Sequence, residues 1–265
     1  MSERAVAKAT HAYLEQWNDL SKCWAAIEPA TWQSESIITG WRVGDLVAHF
    51  ALVAKTITDA ATQPTYEPPL SLADYLAQYE LASEDIDHRT REVGASTQTQ
   101  ALAIVARNGN QAAESLEALL ESNDSVVAAR RGPVRWSDFV TTRVIELVVH
   151  ADDLERSLAP QNAVAAGSFH SRRAVQLTVR ALCEVLAERA PGHSVEVRVP
   201  PFAAVQCVAG PRHTRGTPGA VVEMDSSTFL RLASGRLEWS SAVTSGQVRA
   251  SGQRTELAEH FPLFR

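Results

Sequence analysis

Apolar residues recur at three- and four-residue intervals through the first 160 positions, and at two-residue intervals in several short runs after them. The first pattern belongs to amphipathic helices and the second to half-buried strands. Helices are expected over about 3–27, 43–60, 71–92, 98–121 and 136–159, with Pro29 following the first. In the last of these Ser137 is placed to cap the start and Pro160 to end it. QPTYEPPLS, with three prolines, reads as a loop, and Gly132-Pro133 marks a turn. Four or five long helices joined by modest loops suggest an antiparallel bundle. Beyond Pro160 an amphipathic helix over 167–190 stops at Pro191-Gly192. SVEVRVP, AAVQCV and GAVVEMD then alternate as strands, followed by SSTFLRLASG as a short serine-capped helix, GQVRASG as a strand and TELAEHFPLF as a last short helix. The expected organisation is a helical domain over 1–160 and a small α+β domain over 161–265.

Composition narrows the classes. A chain of 265 residues that is 45% hydrophobic can bury a large core. It has no apolar run long enough for a membrane span. The start, MSERAVAKATHAYLEQ, lacks the apolar block of a secretory signal. Cys23, Cys183 and Cys207 lie far apart and form no paired motif, which fits a reducing, cytoplasmic setting. A net charge of −6 gives no reason to expect nucleic acid.

The charge is uneven. Residues 1–160 carry 13 Lys+Arg against 23 Asp+Glu, and residues 161–265 carry 12 against 8, all of the 12 being arginine. Two complementary faces within one chain explain this, and so does an anion-attracting surface at a cleft.

The sharpest local signal is Glu146-Leu-Val-Val-His150. Four residues apart on a helix, these two side chains share a face. Phe139, Thr142, Arg143 and Asp153 fall within about 60° of Glu146 on that face. Charges there must be paired, solvated or metal-bound. His49, among Leu46, Val47, Phe50 and Leu52, is the candidate third ligand, with Asp45 one turn before it. Two histidines and a glutamate leave positions open on a divalent ion, as catalytic sites need. Asp153 is placed to accept the other N–H of His150. Each residue also has a plainer reading. A Glu/His pair at this spacing is common on helix surfaces, His49 also fits a hydrogen-bonded core histidine, and Asp45 fits a first-turn residue facing the helix dipole. His11, His88, His170, His193, His213 and His260 have no partner at ligand spacing and read as surface residues. No hydrolase elbow, dinucleotide or phosphate-loop motif occurs, and no cysteine has an activating pattern.

WRVGDLVAHF, followed about 100 residues later by ELVVHADDL, resembles the mycothiol-dependent maleylpyruvate isomerase family. The family pattern, Trp-x-x-x-Asp-Leu-x-x-His and Glu-x-x-x-His-x-x-Asp-Leu, falls on Trp41, Asp45, Leu46 and His49 and on Glu146, His150, Asp153 and Leu154. MDSSTFLRLASGRLEWSSAVTSGQVRASGQ resembles the sterol-carrier-protein-like module that follows in many members. The resemblance implies a DinB-like four-helix metal-binding bundle followed by a sterol-carrier-like α+β domain. It implies zinc or a similar divalent ion on His49, Glu146 and His150, with Asp45 and Asp153 behind them. It implies mycothiol as cosubstrate and a small electrophilic molecule as substrate, the thiolate either adding to a conjugated double bond and leaving after rotation, or being transferred. It also implies an arginine from the C-terminal domain near the metal, for which Arg231, Arg236 and Arg249 are candidates. Arg143, on the metal-side face, reads equally as a substrate contact or as a salt bridge to Glu146. The competing expectation is a non-enzymatic protein whose C-terminal half encloses a lipid or another small apolar molecule.

Overall fold

In the computed structural model the chain is described over residues 2–79, 83–120, 124–161, 168–210 and 219–264. It divides into two compact units, residues 1–75 with 81–174, and residues 76–80 with 175–265.

The first unit is helical. Its long helices are α1 (Ser2–Ala25), α3 (Val43–Ala61), α6 (Gln98–Ala118) and α7 (Trp136–Leu158), with the short α2 (Pro29–Trp32), α4 (Leu72–Ala77, its last two residues counted with the second unit) and α5 (Ser83–Gly94) between them. Helix α1 buries Val6, Ala9, Tyr13, Gln16, Leu20 and Cys23, the three- and four-residue spacing of one stripe. That stripe packs on α7, and α3 packs against α5, α6 and α7. Aromatic rings tie the layers: Trp17 and Trp24 lie 5.2 Å apart, and Trp24 and Phe50 are also separated by 5.2 Å. Each such ring, once buried, contributes on the order of 1.5–3 kcal/mol. Gly109 on α6 has no room for a side-chain carbon, which would overlap the Trp17 ring, so α6 approaches α1 at that glycine.

Several expected features differ in the structure. The stretch expected as one helix over 71–92 is α4 and α5, with residues 80–82 outside the described set. The Gly132-Pro133 turn belongs to a hairpin, β1 (Val126–Ala129) with β2 (Gly132–Arg135), paired from Val126↔Arg135 to Ala129↔Gly132. The 62–71 loop is strapped to it: Ala128 N–H donates to Gln63 O at 2.8 Å, Thr65 N–H to Val126 O at 3.0 Å and Leu70 N–H to Pro133 O at 2.9 Å. Strands of four residues carry too little alternation to stand out beside long helices. Helix α7 starts at Trp136, so Ser137 lies inside it rather than capping it. Asp124 does the capping, accepting from Ser137 N–H and from Ser137 Oγ, both at 2.8 Å.

The second unit holds α8 (Arg172–Arg189), most of which belongs to it, and four strands: β3 (Val195–Val199), β4 (Ala203–Cys207), β5 (Ala220–Met224) and β6 (Val248–Gly252). The sheet order is β4-β3-β5-β6, parallel only between β3 and β5. Val195, Val197 and Val199, and likewise Ala220, Val222 and Met224, point to the buried face. Two short helices, α9 (Ser226–Ala233) and the unanticipated α10 (Trp239–Thr244), connect β5 to β6. Helix α9 is capped by Asp225, whose carboxylate accepts from Thr228 N–H at 2.7 Å, not by its serines. The expected last helix is only a single turn over Ala258–His260, since Pro262 cannot continue a helix and Leu263 N–H donates instead to Ala233 O. No described helix is long and apolar enough to cross a membrane.

Candidate metal centre

Packing of α3 on α7 brings His49, Glu146 and His150 together. One ligand atom from each lies within 4.8 Å of the others. A Glu146 carboxylate oxygen, Oε2, sits between the two imidazoles, 3.5 Å from His49 Nε2 and 3.5 Å from His150 Nε2. The rings meet edge to face at 4.6 Å between centroids. His49 is 5% exposed, and the Glu146 and His150 side chains are each 11% exposed.

The outward nitrogen of each ring is held. His150 Nδ1 is 3.0 Å from an oxygen of Asp153, which is buried one turn on. His49 Nδ1 is 3.2 Å from Thr90 Oγ1 on α5. Trp41 covers the His49 ring at 5.4 Å, and its indole N–H donates to Asp87 at 2.6 Å. His49 Nε2, facing Glu146, is buried and makes no hydrogen bond in spite of its ion-pair distance. A buried nitrogen left in that state beside a carboxylate marks a place where a cation fits.

Arg143 is almost fully buried on the same face of α7. Its Nη2 lies 3.5 Å from Glu146 Oε1, its Nε donates to Thr142 Oγ1 at 3.2 Å and its Nη1 to Thr56 Oγ1 at 3.3 Å. The guanidinium also sits over the Phe139 ring at 5.2 Å. Burial pushes the Glu146 carboxyl up, but the two imidazoles and Arg143 outweigh it and hold the group well below its usual range. Burial lowers His49, opposed by Glu146. The cluster is therefore a carboxylate with a neutral imidazole, the protonation state in which these side chains bind metal.

Asp45, expected behind the ligands, caps α3: its Oδ2 accepts from Arg42 N–H at 2.8 Å. It is wedged against α5, where a side chain at Gly94 would overlap its carboxylate. Arg231, Arg236 and Arg249 belong to the second unit. Arg231 closes α9, where its charge helps to lower Asp225. Arg236 Nη1 donates to Ser234 O at 2.8 Å, and Arg249 lies exposed on β6. His213 lies outside the described residues. Burial raises the chain's own thiols, Cys183 to about 12 and Cys23 and Cys207 to about 11, so none is primed as a nucleophile.

A cavity of about 150 Å³ opens beside the cluster, with His49 and Glu146 in its wall. Phe139, Leu52 and Val53 make its apolar part. The rest of the wall includes Arg130 and Arg131 from the β1–β2 turn, which sequence reasoning passed over. The signal was the Arg-Arg-Gly-Pro run at 130–133, invisible as a site residue until the hairpin folds back toward α3. Thr90 and Asp87 were also missed, because nothing in their local pattern ties them to Trp41 or His49.

The fold and site define a two-part chain: a helical domain that gathers a His/Glu/His cluster, then a small α+β domain. Residues 13–155, more than half of the chain, match the family described as "Mycothiol maleylpyruvate isomerase N-terminal domain", and residues 171–263 match "Bacterial SCP ortholog". The chain belongs to the mycothiol maleylpyruvate isomerase family, a family of enzymes. Two crystal structures share its fold: a mycothiol-dependent maleylpyruvate isomerase, with a TM-score of 0.59, and a mutant of it in which a histidine is replaced by alanine, with a TM-score of 0.60. Each is 16% identical to this chain and aligns over 93% of it and 92% of its own length, a likeness of fold. No curated protein sequence matches the chain significantly.

Proposed function

We propose that this protein is a thiol-dependent metalloenzyme of the maleylpyruvate isomerase type, with His49, Glu146 and His150 holding a divalent ion and mycothiol as cosubstrate. The observation that carries this reading is the buried three-ligand cluster in the wall of a cavity, with His49 Nε2 lacking a hydrogen bond. When bound there, zinc or a similar ion supplies the positive charge that keeps a thiol ionised near neutral pH.

The chain's residues prepare the site. A proton on Nδ1 of each ring, toward Thr90 and Asp153, leaves both Nε2 lone pairs for a cation. Arg143, fixed by Thr142 and Thr56, offsets part of the Glu146 charge and holds that carboxylate in place; it acts as a positioning residue. Phe139, Leu52 and Val53 keep part of the cavity apolar, which limits water around a reactive sulfur. In an isomerisation the sulfur adds to one carbon of a conjugated double bond, the resulting single bond rotates, and the carbon–sulfur bond breaks to return the thiol. Transfer of the thiol to an electrophile would use the same residues, and the family match favours isomerisation.

Metal analysis tests the reading. Protein purified without chelator and supplied with zinc should retain about one equivalent, and His150→Ala should retain less than about 0.2. Equal metal content in the two proteins would sink it.

A further inference from the structure

Helix α5 meets α3, the helix that carries His49, through a polar stripe. Asp87, Thr90, Arg91 and Gly94 stand at positions i, i+3, i+4 and i+7, within about 100° of one another around the helix axis. Each of them faces the stretch 40–49. Asp87 accepts the Trp41 indole N–H at 2.6 Å, and Thr90 Oγ1 lies 3.2 Å from His49 Nδ1. A side-chain carbon at Gly40 would come within 3.1 Å of Arg91 Nη2, and one at Gly94 would overlap the Asp45 carboxylate. Over residues 87–94, the described side chains of α5, only Thr90 is buried and only Val93 is apolar. A helix of 12 residues is marginal in isolation. With so little apolar burial along 87–94, its docking on α3 depends on the stripe.

Asp87 is the joint of that stripe. Besides the indole N–H, its two oxygens accept from Arg91 Nε at 3.1 and 3.0 Å, so the carboxylate is itself held in place. Trp41 is 8% exposed, and its ring lies over the His49 imidazole at 5.4 Å. One edge of the indole is thus fixed by a charged acceptor while its face rests against a ligand of the cluster. A hydrogen bond to a carboxylate is stronger than one between neutral groups, and groups behind a metal ligand set how well that ligand is aimed.

We propose that Asp87 is a positioning residue for the metal centre and acts through Trp41. With the indole held by Asp87, Trp41 and Thr90 confine the His49 ring from two sides, and the same contact docks α5 on α3. Docking of α5 and binding of metal are therefore linked, and each favours the other by the same factor. This assignment rests on the reading of His49 as a metal ligand.

Zinc affinity, by competition with a chelator, and hydrogen exchange of the 83–94 amides test it on the full chain. Asp87→Ala should weaken zinc about fivefold. Trp41→Phe, which keeps a ring but loses the N–H, should do the same, and the double variant should stay within about twofold of either single one. Asp87→Asn, whose amide oxygen still accepts the indole N–H, should recover part of the loss. Zinc should slow exchange of the α5 amides in the wild type and slow it less in Asp87→Ala. His88→Ala, outside the stripe, should leave zinc affinity within about twofold of the wild type. Unchanged affinity in Asp87→Ala, losses that add in the double variant, or no recovery in Asp87→Asn overturns the assignment. Failure of the metal reading shows separately, as zinc absent from the wild type. Exchange in metal-free protein still reads the latch, because Asp87→Ala and Trp41→Phe should speed the α5 amides by factors within about twofold of each other.

Discussion

Helix α7 supplies two residues to each of two groups of metal-capable side chains, and only one group is built as a site. His49, Glu146 and His150 are enclosed, and both rings have their second nitrogen held. Asp152, Glu155 and His170 also bring ligand atoms within 4.8 Å. There the Glu155 side chain is 51% exposed, Asp152 lies 3.7 Å from Arg156, and His170 Nε2 is 3.3 Å from Glu155. His170 Nδ1 is buried with no hydrogen-bond partner among the described residues, so the ring is held only from its Nε2 side, by the exposed Glu155. Proximity of donors is shared. What separates the two groups is the enclosure, the orienting contacts and the balancing Arg143.

The largest expected difference is in the stability of metal-free protein. Glu146→Gln removes a carboxylate charge beside a guanidinium that is 3% exposed. Leaving that charge uncompensated should cost about 3 kcal/mol. Glu155→Gln, at a half-exposed position, should cost less than about 0.5 kcal/mol. Urea denaturation of both variants reads this directly, and equal costs would erase the contrast.

Next is metal affinity. Asp153→Asn keeps the shape of the side chain but weakens its hold on His150 Nδ1, and zinc affinity should fall by about 10- to 100-fold. Asp152→Asn, in the other group, should leave zinc binding at the first within about twofold, since residues outside that network add independently. Competition with a fluorescent chelator measures both.

The contrast also marks what the sequence makes legible. Glu146 and His150 can be read because four residues on a helix is a fixed distance, and Asp153 follows by the same rule. His49 needs the packing of α3 on α7, which periodicity allows but does not specify; its apolar neighbours made it a candidate, and the resemblance strengthened it. The Asp152, Glu155 and His170 group escaped notice because His170 reaches α7 only through the chain's return after it. Arg130 and Arg131 escaped for a similar reason: the strands that aim them are four residues long and are held by loop contacts that no local pattern announces. Helix positions were legible to within a few residues where apolar stripes were long. Caps were not: Asp225 stands just outside α9, where the serines inside look like better candidates, and Asp124 reaches α7 from the far side of the β1–β2 hairpin.

A third difference should appear with pH. Burial lowers the His49 pKa in the folded chain, so below the unfolded value of about 6.5 the unfolded state binds more protons than the folded one. Stability of the metal-free protein should therefore rise with pH through that window, by at most about 1.4 kcal/mol per pH unit from this group, and level off above it. Glu146, held low, contributes stability that is complete above the unfolded carboxylate value and is lost as pH falls through its lower folded value. Urea midpoints measured from about pH 5 to pH 8 should show the slope, and His49→Gln should flatten it below about pH 6.5. An unchanged slope in that variant would place its origin elsewhere.

The smallest effect tests whether orientation of His49 matters as orientation of His150 does. Thr90→Val keeps the volume on α5 but deletes the hydroxyl 3.2 Å from His49 Nδ1. The loss is one neutral hydrogen bond in a buried place, on the order of 1 kcal/mol, or about fivefold in zinc affinity. Asp153 is charged and should matter more than Thr90, so the two variants should rank in that order. If Thr90→Val weakened zinc as much as Asp153→Asn, the two imidazoles would be equally dependent on their backing groups. If it had no effect, packing against Trp41 alone would hold the His49 ring, and the distinction between the two groups on α7 would rest on enclosure and Arg143 with one oriented ring rather than two.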